Sequence, residues 1–153
     1  MKRVMKWFAI VLVVAVVGMQ FVRPSRANPP VDESRTIFAS GKVPADVHAI
    51  LDRSCSDCHS HKTVWPWYSH VAPISFLVAD DVEHGRKDLN FSTWGDYTPK
   101  RAEHKLEEIC EHVGDGEMPP RNYLFTHREA ALSAADRSRL CEWASAWRAE
   151  ILR

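Results

Sequence analysis

Beyond residue 22 the chain has no alternating run of β-branched residues, no internal repeat and no low-complexity tract. A sheet-based domain is therefore not expected, and the fold class reads as all-α. Charge of one sign is lacking too. The 20 Lys and Arg balance 20 Asp and Glu, and no basic tract follows the pattern of a phosphate-binding surface, so nucleic acid is not an expected partner. Methionine is scarce: Met1, Met5 and Met19 lie at the N-terminus, which leaves Met118 as the one thioether in the rest of the chain. Cysteine is scarce as well, with Cys55 and Cys58 as a close pair and Cys110 and Cys141 far apart.

What is present at the N-terminus is a charged leader. Lys2, Arg3 and Lys6 precede an apolar run from Trp7 to Val22 that is broken only by Gly18 and Gln20. That run is long for the core of a signal peptide and short of the ~20 residues that span a bilayer. The expectation is a retained signal-anchor over residues 1–27, with a single membrane helix and its N-terminus inside by the positive-inside rule. Ser25 and Ala27 also offer a cleavage site, so a soluble periplasmic product is the alternative. Residues 28–43, with Pro29 and Pro30, read as a linker, and residues 44–153 as one domain.

That domain carries four helical patterns. Pro44 suits the first helical position, and Val47, Ile50, Leu51 and Ser54 share a face that runs into the cysteine pair. Pro73 opens a second run, with Ile74, Leu77, Val78, Asp81 and Val82 at helical spacing and Gly85 as the stop. Thr98 and Pro99 start a third helix through Ala102, Leu106, Ile109, Cys110 and Val113, with Gly114 past its end. Ser133, with Asp136 three residues on, caps a fourth that aligns Leu140, Trp143, Ala144, Trp147 and Ile151. Two tryptophans on the last stripe need a large partner, and four modest helices with long loops bury little against one another, so much of each stripe is expected to be covered by something else, which a haem would supply.

The cofactor is indicated by Cys55-Ser56-Asp57-Cys58-His59. Thiols three apart on one helical turn can reach the two vinyl groups of a haem while the adjoining imidazole ligates the iron, the C-x-x-C-H pattern of covalent attachment. A zinc site needs two further ligands, a redox dithiol usually sits near a βαβ pattern, and a plain structural disulfide is the remaining rival. With His59 as proximal ligand, Met118 in the Pro119-Pro120 loop is the candidate distal ligand, and a Met/His pair raises the reduction potential. His70 and His127, in loops, are its competitors among the histidines, and His61 lies too close to the motif to reach the opposite face. Trp65, Trp67 and Tyr68 offer rings to wall a haem, and Arg121 a propionate partner. Cys110 and Cys141 read equally as a disulfide between the third and fourth helices or as two separate thiols.

Several stretches in order carry a family resemblance: Cys55 to His59, Lys62-Thr63-Val64-Trp65-Pro66-Trp67-Tyr68, Ala72-Pro73-Ile74-Ser75, Leu89-Asn90-Phe91-Ser92 and Gly116-Glu117-Met118-Pro119. Together, over roughly Pro44 to Trp147, they resemble the small bacterial haem-binding domain proteins of the cytochrome c type. The resemblance implies a cytochrome c-like helical fold with one covalent haem c on Cys55 and Cys58, His59 as proximal and Met118 as distal iron ligand. The expected function is one-electron transfer to a redox protein, by a domain that faces the periplasm from the bacterial inner membrane. A haem-based gas or redox sensor, or a peroxidase-like enzyme, is the alternative, and it requires an open sixth position.

Overall fold

Helical periodicity and local caps account for most of the architecture. The computed structural model describes residues 1–153 and contains no strand. Its helices are α1 (Lys2–Met19), α2 (Ala45–Ser54), α3 (Ser56–His59), α4 (Ile74–Asp88), α5 (Pro99–Gly114), α6 (Arg121–Thr126) and α7 (Ala134–Ile151). Short 3-10 turns fill the connections at Glu33–Arg35, Ile37–Ser40, Trp67–His70, Phe91–Asp96 and Arg128–Ala130. The all-α expectation is met, with more and shorter pieces than the four patterns suggested.

Caps sit where the sequence placed them. The Thr98 hydroxyl accepts from the Arg101 amide, and Ser133 and Asp136 form a reciprocal capping box at the start of α7. Pro44 is the residue before α2 rather than its first member, a shift of one position. The expected faces are buried: Val47, Ile50, Leu51 and Ser54 on α2, Ala102, Leu106, Ile109 and Val113 on α5, Leu140, Trp143, Ala144 and Trp147 on α7. Full burial of side chains such as Leu106 and Leu140 stabilises the fold by about 2 kcal/mol each. The α5 and α7 faces pack together, and a Cys110–Cys141 disulfide joins them, which decides between the two readings of those cysteines.

The tryptophans of α7 are covered by protein. The Trp147 ring lies 5.1 Å from Trp94 and 5.8 Å from Trp143, and the Trp143 indole donates to the Lys42 carbonyl at 2.8 Å. Within the stretch read as a linker, Ile37 is fully buried in the main core and Phe38 and Val43 pack against it. Its 3-10 turns lean on the Phe91–Asp96 turn, so residues 28–43 do more than connect.

One expectation needs correction. Helix α4 does not stop at Gly85 but continues to Asp88, because its glycine serves a close packing contact described below. The N-terminal helix α1 buries nothing against the domain, and no helix is long and apolar enough to cross a membrane. Its 18 residues include Lys2, Arg3 and Lys6, so the membrane helix expected over residues 1–27 is not supported at that length.

Candidate functional site

The cysteine pair lies at a break between helices. Cys55 has φ −129° and separates α2 from α3, so the turn that would attach a haem is a short helix of its own rather than the end of α2. The Cys58 and His59 amides both donate to the Cys55 carbonyl, which keeps the two cysteines and the histidine on one tight turn. Cys55 and Cys58 are free thiols. Burial pushes Cys55 up to about 12, with Cys58 adding to the shift, and burial followed by Asp81 and Asp57 pushes Cys58 up to about 11. Both are therefore held as protonated thiols near neutral pH, unlike the lowered thiol of a reactive dithiol. No group of three or more His, Cys, Asp or Glu side chains is arranged to hold a metal ion, so zinc lacks its ligand set.

His59 is held from above by α4. Its Nδ1 lies 3.0 Å from the Gly85 carbonyl oxygen and 3.0 Å from that of Leu89. Carbonyls only accept, so Nδ1 carries the proton and donates to both. Burial lowers the pKa and favours the neutral ring, which leaves the lone pair on Nε2. That is the tautomer an Nε2 metal ligand requires, with its other nitrogen anchored to backbone.

Gly85 makes this approach feasible. A Cβ at position 85 would stand 2.7 Å from the Cys58 carbonyl oxygen and 3.1 Å from the Cys58 Cβ, so any side chain would drive α4 off the attachment turn. The same helix leaves an apolar strip without a partner: Ile74 is 45% and Leu77 63% exposed, and of the stripe read from sequence only Val82 is buried. Beside that strip, Asp81 accepts from Asn122 of α6 at 3.3 Å, and Tyr123 of α6 donates to Asp57 at 2.9 Å. Helix α6, absent from the sequence reading, thus closes on both α4 and the attachment turn.

Met118 lies on the α5–α6 connection with its amide donating to the His112 carbonyl, and its side chain is 38% exposed. Tyr123 is five positions further along, which ties this connection to the motif through Asp57. The three aromatics separate. The Trp65 indole donates to Asn28 and faces the N-terminal segment, Trp67 is exposed with its ring edge on Tyr68, and Tyr68 bonds Thr126 at 3.0 Å beside His127. Arg121 and His70 are exposed, and the His127 ring stacks on Tyr123 at 4.2 Å.

Near the motif, Arg86 carried no signal in the sequence, and the bond between Asn90 and His61 could not be read from either residue. Arg86 donates to the carbonyls of Ser60 and Ala27, to Thr63 Oγ1 and to Asn28 Oδ1. Asn90 donates to His61 Nε2 at 2.9 Å, which leaves His61 Nδ1 as a buried donor without a partner. These partners are remote in sequence, so no local pattern announces them.

The arrangement of paired thiols, an oriented imidazole and an apolar strip fits a haem better than any of its rivals. Comparison with known families agrees: the profile of the haem-binding domain matches residues 14–146. No curated protein and no solved structure matches the chain. Covering most of the sequence and including the whole attachment turn, that match shows that the chain belongs to the haem-binding domain family.

Proposed function

We propose that this chain is a membrane-tethered periplasmic c-type cytochrome that passes single electrons through one covalently attached haem. The observation that carries the reading is His59, whose Nδ1–H is committed to the Gly85 and Leu89 carbonyls beside two free thiols. Cys55 and Cys58 would each add S–H across a vinyl group, so two thioethers form, each hydrogen moves to carbon, and no oxidant is consumed. The bound group supplies the one-electron iron couple. His59 offers Nε2 as proximal ligand, and its bonds to the two carbonyls hold the ring in position and strengthen it as a donor. Ile74 and Leu77 supply apolar cover that excludes water, and the Tyr123–Asp57 bond draws α6 over the attachment turn. Met118 is the distal ligand in this reading, and a thioether there raises the potential into a range useful to a carrier. Of the aromatics, Tyr68 is the one held toward α6 and so the favoured pocket residue, with Trp65 and Trp67 peripheral.

The periplasmic setting is supported by the Cys110–Cys141 disulfide, which persists in oxidising compartments. Membrane attachment is supported by α1, an apolar helix that packs on nothing and carries its cations at the N-terminal end. The redox partner in this reading is another protein of the envelope.

The test is a pyridine haemochrome spectrum with intact mass, on protein produced alongside a c-type maturation system. One added haem mass with a c-type spectrum, lost in the combined Cys55→Ala and Cys58→Ala variant, is the expected result. A colourless protein of apo mass, while a control cytochrome matures in the same cells, overturns the reading.

A further inference from the structure

The segment that leaves α1 is strapped to the domain. Gln20 follows the last residue of α1, and its side-chain amide bonds the backbone of Ala72 in both directions: Nε2 donates to the carbonyl at 3.1 Å and Oε1 accepts from the amide at 3.0 Å. Further on, Arg26 donates to the Ser69 carbonyl at 3.0 Å, Asn28 donates to the Thr63 carbonyl at 2.9 Å, and Arg86 holds the Ala27 carbonyl and the Asn28 side chain. Residues 20–28 therefore run along residues 63–72 as a fixed connection, and the domain does not swing on a free tether.

That connection brings two sets of exposed apolar side chains to one end of α1. Phe21 is 84% and Val22 61% exposed, and on the turn clamped by Gln20 and Arg26, Trp67 is 78% and Val71 43% exposed. Arg23 is exposed between them and the rest of the strap. A tryptophan beside aliphatic residues and an arginine is the composition of a membrane–water interface, with the ring at the headgroup level and the guanidinium on a phosphate.

We infer that the Trp67–Val71 turn, with Phe21 and Val22, is a lipid-contact surface that seats the haem domain on the bilayer from which α1 emerges. The inference rests on the membrane attachment proposed above. Continuity selects lipid over a protein partner: this surface begins where the unburied apolar surface of α1 ends, joined to it by the Gln20 clamp. Seated in this way, the domain holds one orientation toward membrane-bound redox proteins.

The experiment is photo-crosslinking of the full haem-loaded chain in vesicles of phosphatidylcholine and phosphatidylglycerol that contain an acyl-chain diazirine lipid, with adducts mapped by mass spectrometry. Adducts are expected on α1 and also at Trp67 and Val71. Gln20→Ala should reduce the adducts at Trp67 and Val71 severalfold and leave those on α1 unchanged. Adducts confined to α1 in the unaltered chain overturn the docking surface and leave the attachment standing, whereas a chain without adducts on α1 overturns both. Adducts at Trp67 that do not respond to Gln20→Ala overturn the role given to the strap.

Discussion

Gly85 meets Cys58 so closely that a single added carbon would stand 2.7 Å from the cysteine's carbonyl oxygen. The obstacle is backbone rather than a mobile side-chain tip, so it cannot yield without moving α3. Gly85→Ala is therefore expected to separate α4 from the attachment turn and to weaken both bonds to His59 Nδ1. Overpacking of this kind costs about 1–3 kcal/mol. Thermal denaturation should show a lowered Tm and the haem-to-protein ratio should fall; a variant equal to the parent in both would remove Gly85 from the account of the site.

Met118→Ala should leave the haem covalently attached while the reduction potential drops, because a thioether ligand favours ferrous iron. The same variant should bind carbon monoxide when reduced, through the position it opens. Redox titration and carbon monoxide difference spectra check both points. An unchanged potential would strike Met118 from the ligand set and bring His127, at the other end of α6, forward.

The protein before haem attachment should be most stable between about pH 6.5 and 9. Burial lowers the His59 pKa below its ordinary 6.5, so its contribution is complete above that value and is lost as pH falls through the folded pKa. Burial raises Cys55 to about 12 and Cys58 to about 11, so the thiol contribution is complete below the ordinary value of 9.0 and is lost as pH rises toward those values. Urea denaturation of the apo protein across this range reads out both limbs. In the haem-loaded protein the alkaline limb should move to higher pH, because the two thiols no longer titrate while Tyr123, raised by burial above its ordinary 10.0, still does.

Replacing Cys110 and Cys141 together by Ser should lower stability by about 3–4 kcal/mol, the chain-entropy figure for a loop whose ends are 31 residues apart. The haem spectrum should be retained, since the bridge lies between α5 and α7 and away from the attachment turn. Denaturant titration and the visible spectrum separate the two effects. A loss of the spectrum at full stability would contradict this placement.

Arg86→Ala should free residues 24–29 from the domain, because one guanidinium holds both the strap and the Ser60–Thr63 loop. Trypsin should then cut after Arg26, which precedes Ala27, faster than in the parent. Equal cleavage rates would show that the remaining bonds from Gln20, Arg26 and Asn28 suffice.

Local signals and remote ones divide the molecule. The tight Cys55–His59 turn, the faces of α2, α5 and α7 and the caps at Thr98 and Ser133 were all legible, because each depends on residues within a turn or two of one another. Gly85 was visible as a glycine but not for what it does. A helix stop and a close helix contact both call for a missing Cβ, and only the position of Cys58 in space distinguishes them. Ile37 escaped for a related reason: a short 3-10 turn among prolines and charges has no periodicity to betray its burial.

By itself, then, the sequence determined the C-x-x-C-H spacing at residues 55–59, the all-helical class and the main amphipathic faces, since residue spacing and helical period are written along the chain. Tertiary structure alone decided the Cys110–Cys141 bridge, the tautomer of His59, the approach of α6 to Asp57 and the strap from Gln20 to Asn28. Each of those depends on carbonyls, carboxylates or thiols brought together from distant segments. Which of them meet is settled by packing around Phe91, Leu106 and Leu140, which no local pattern contains.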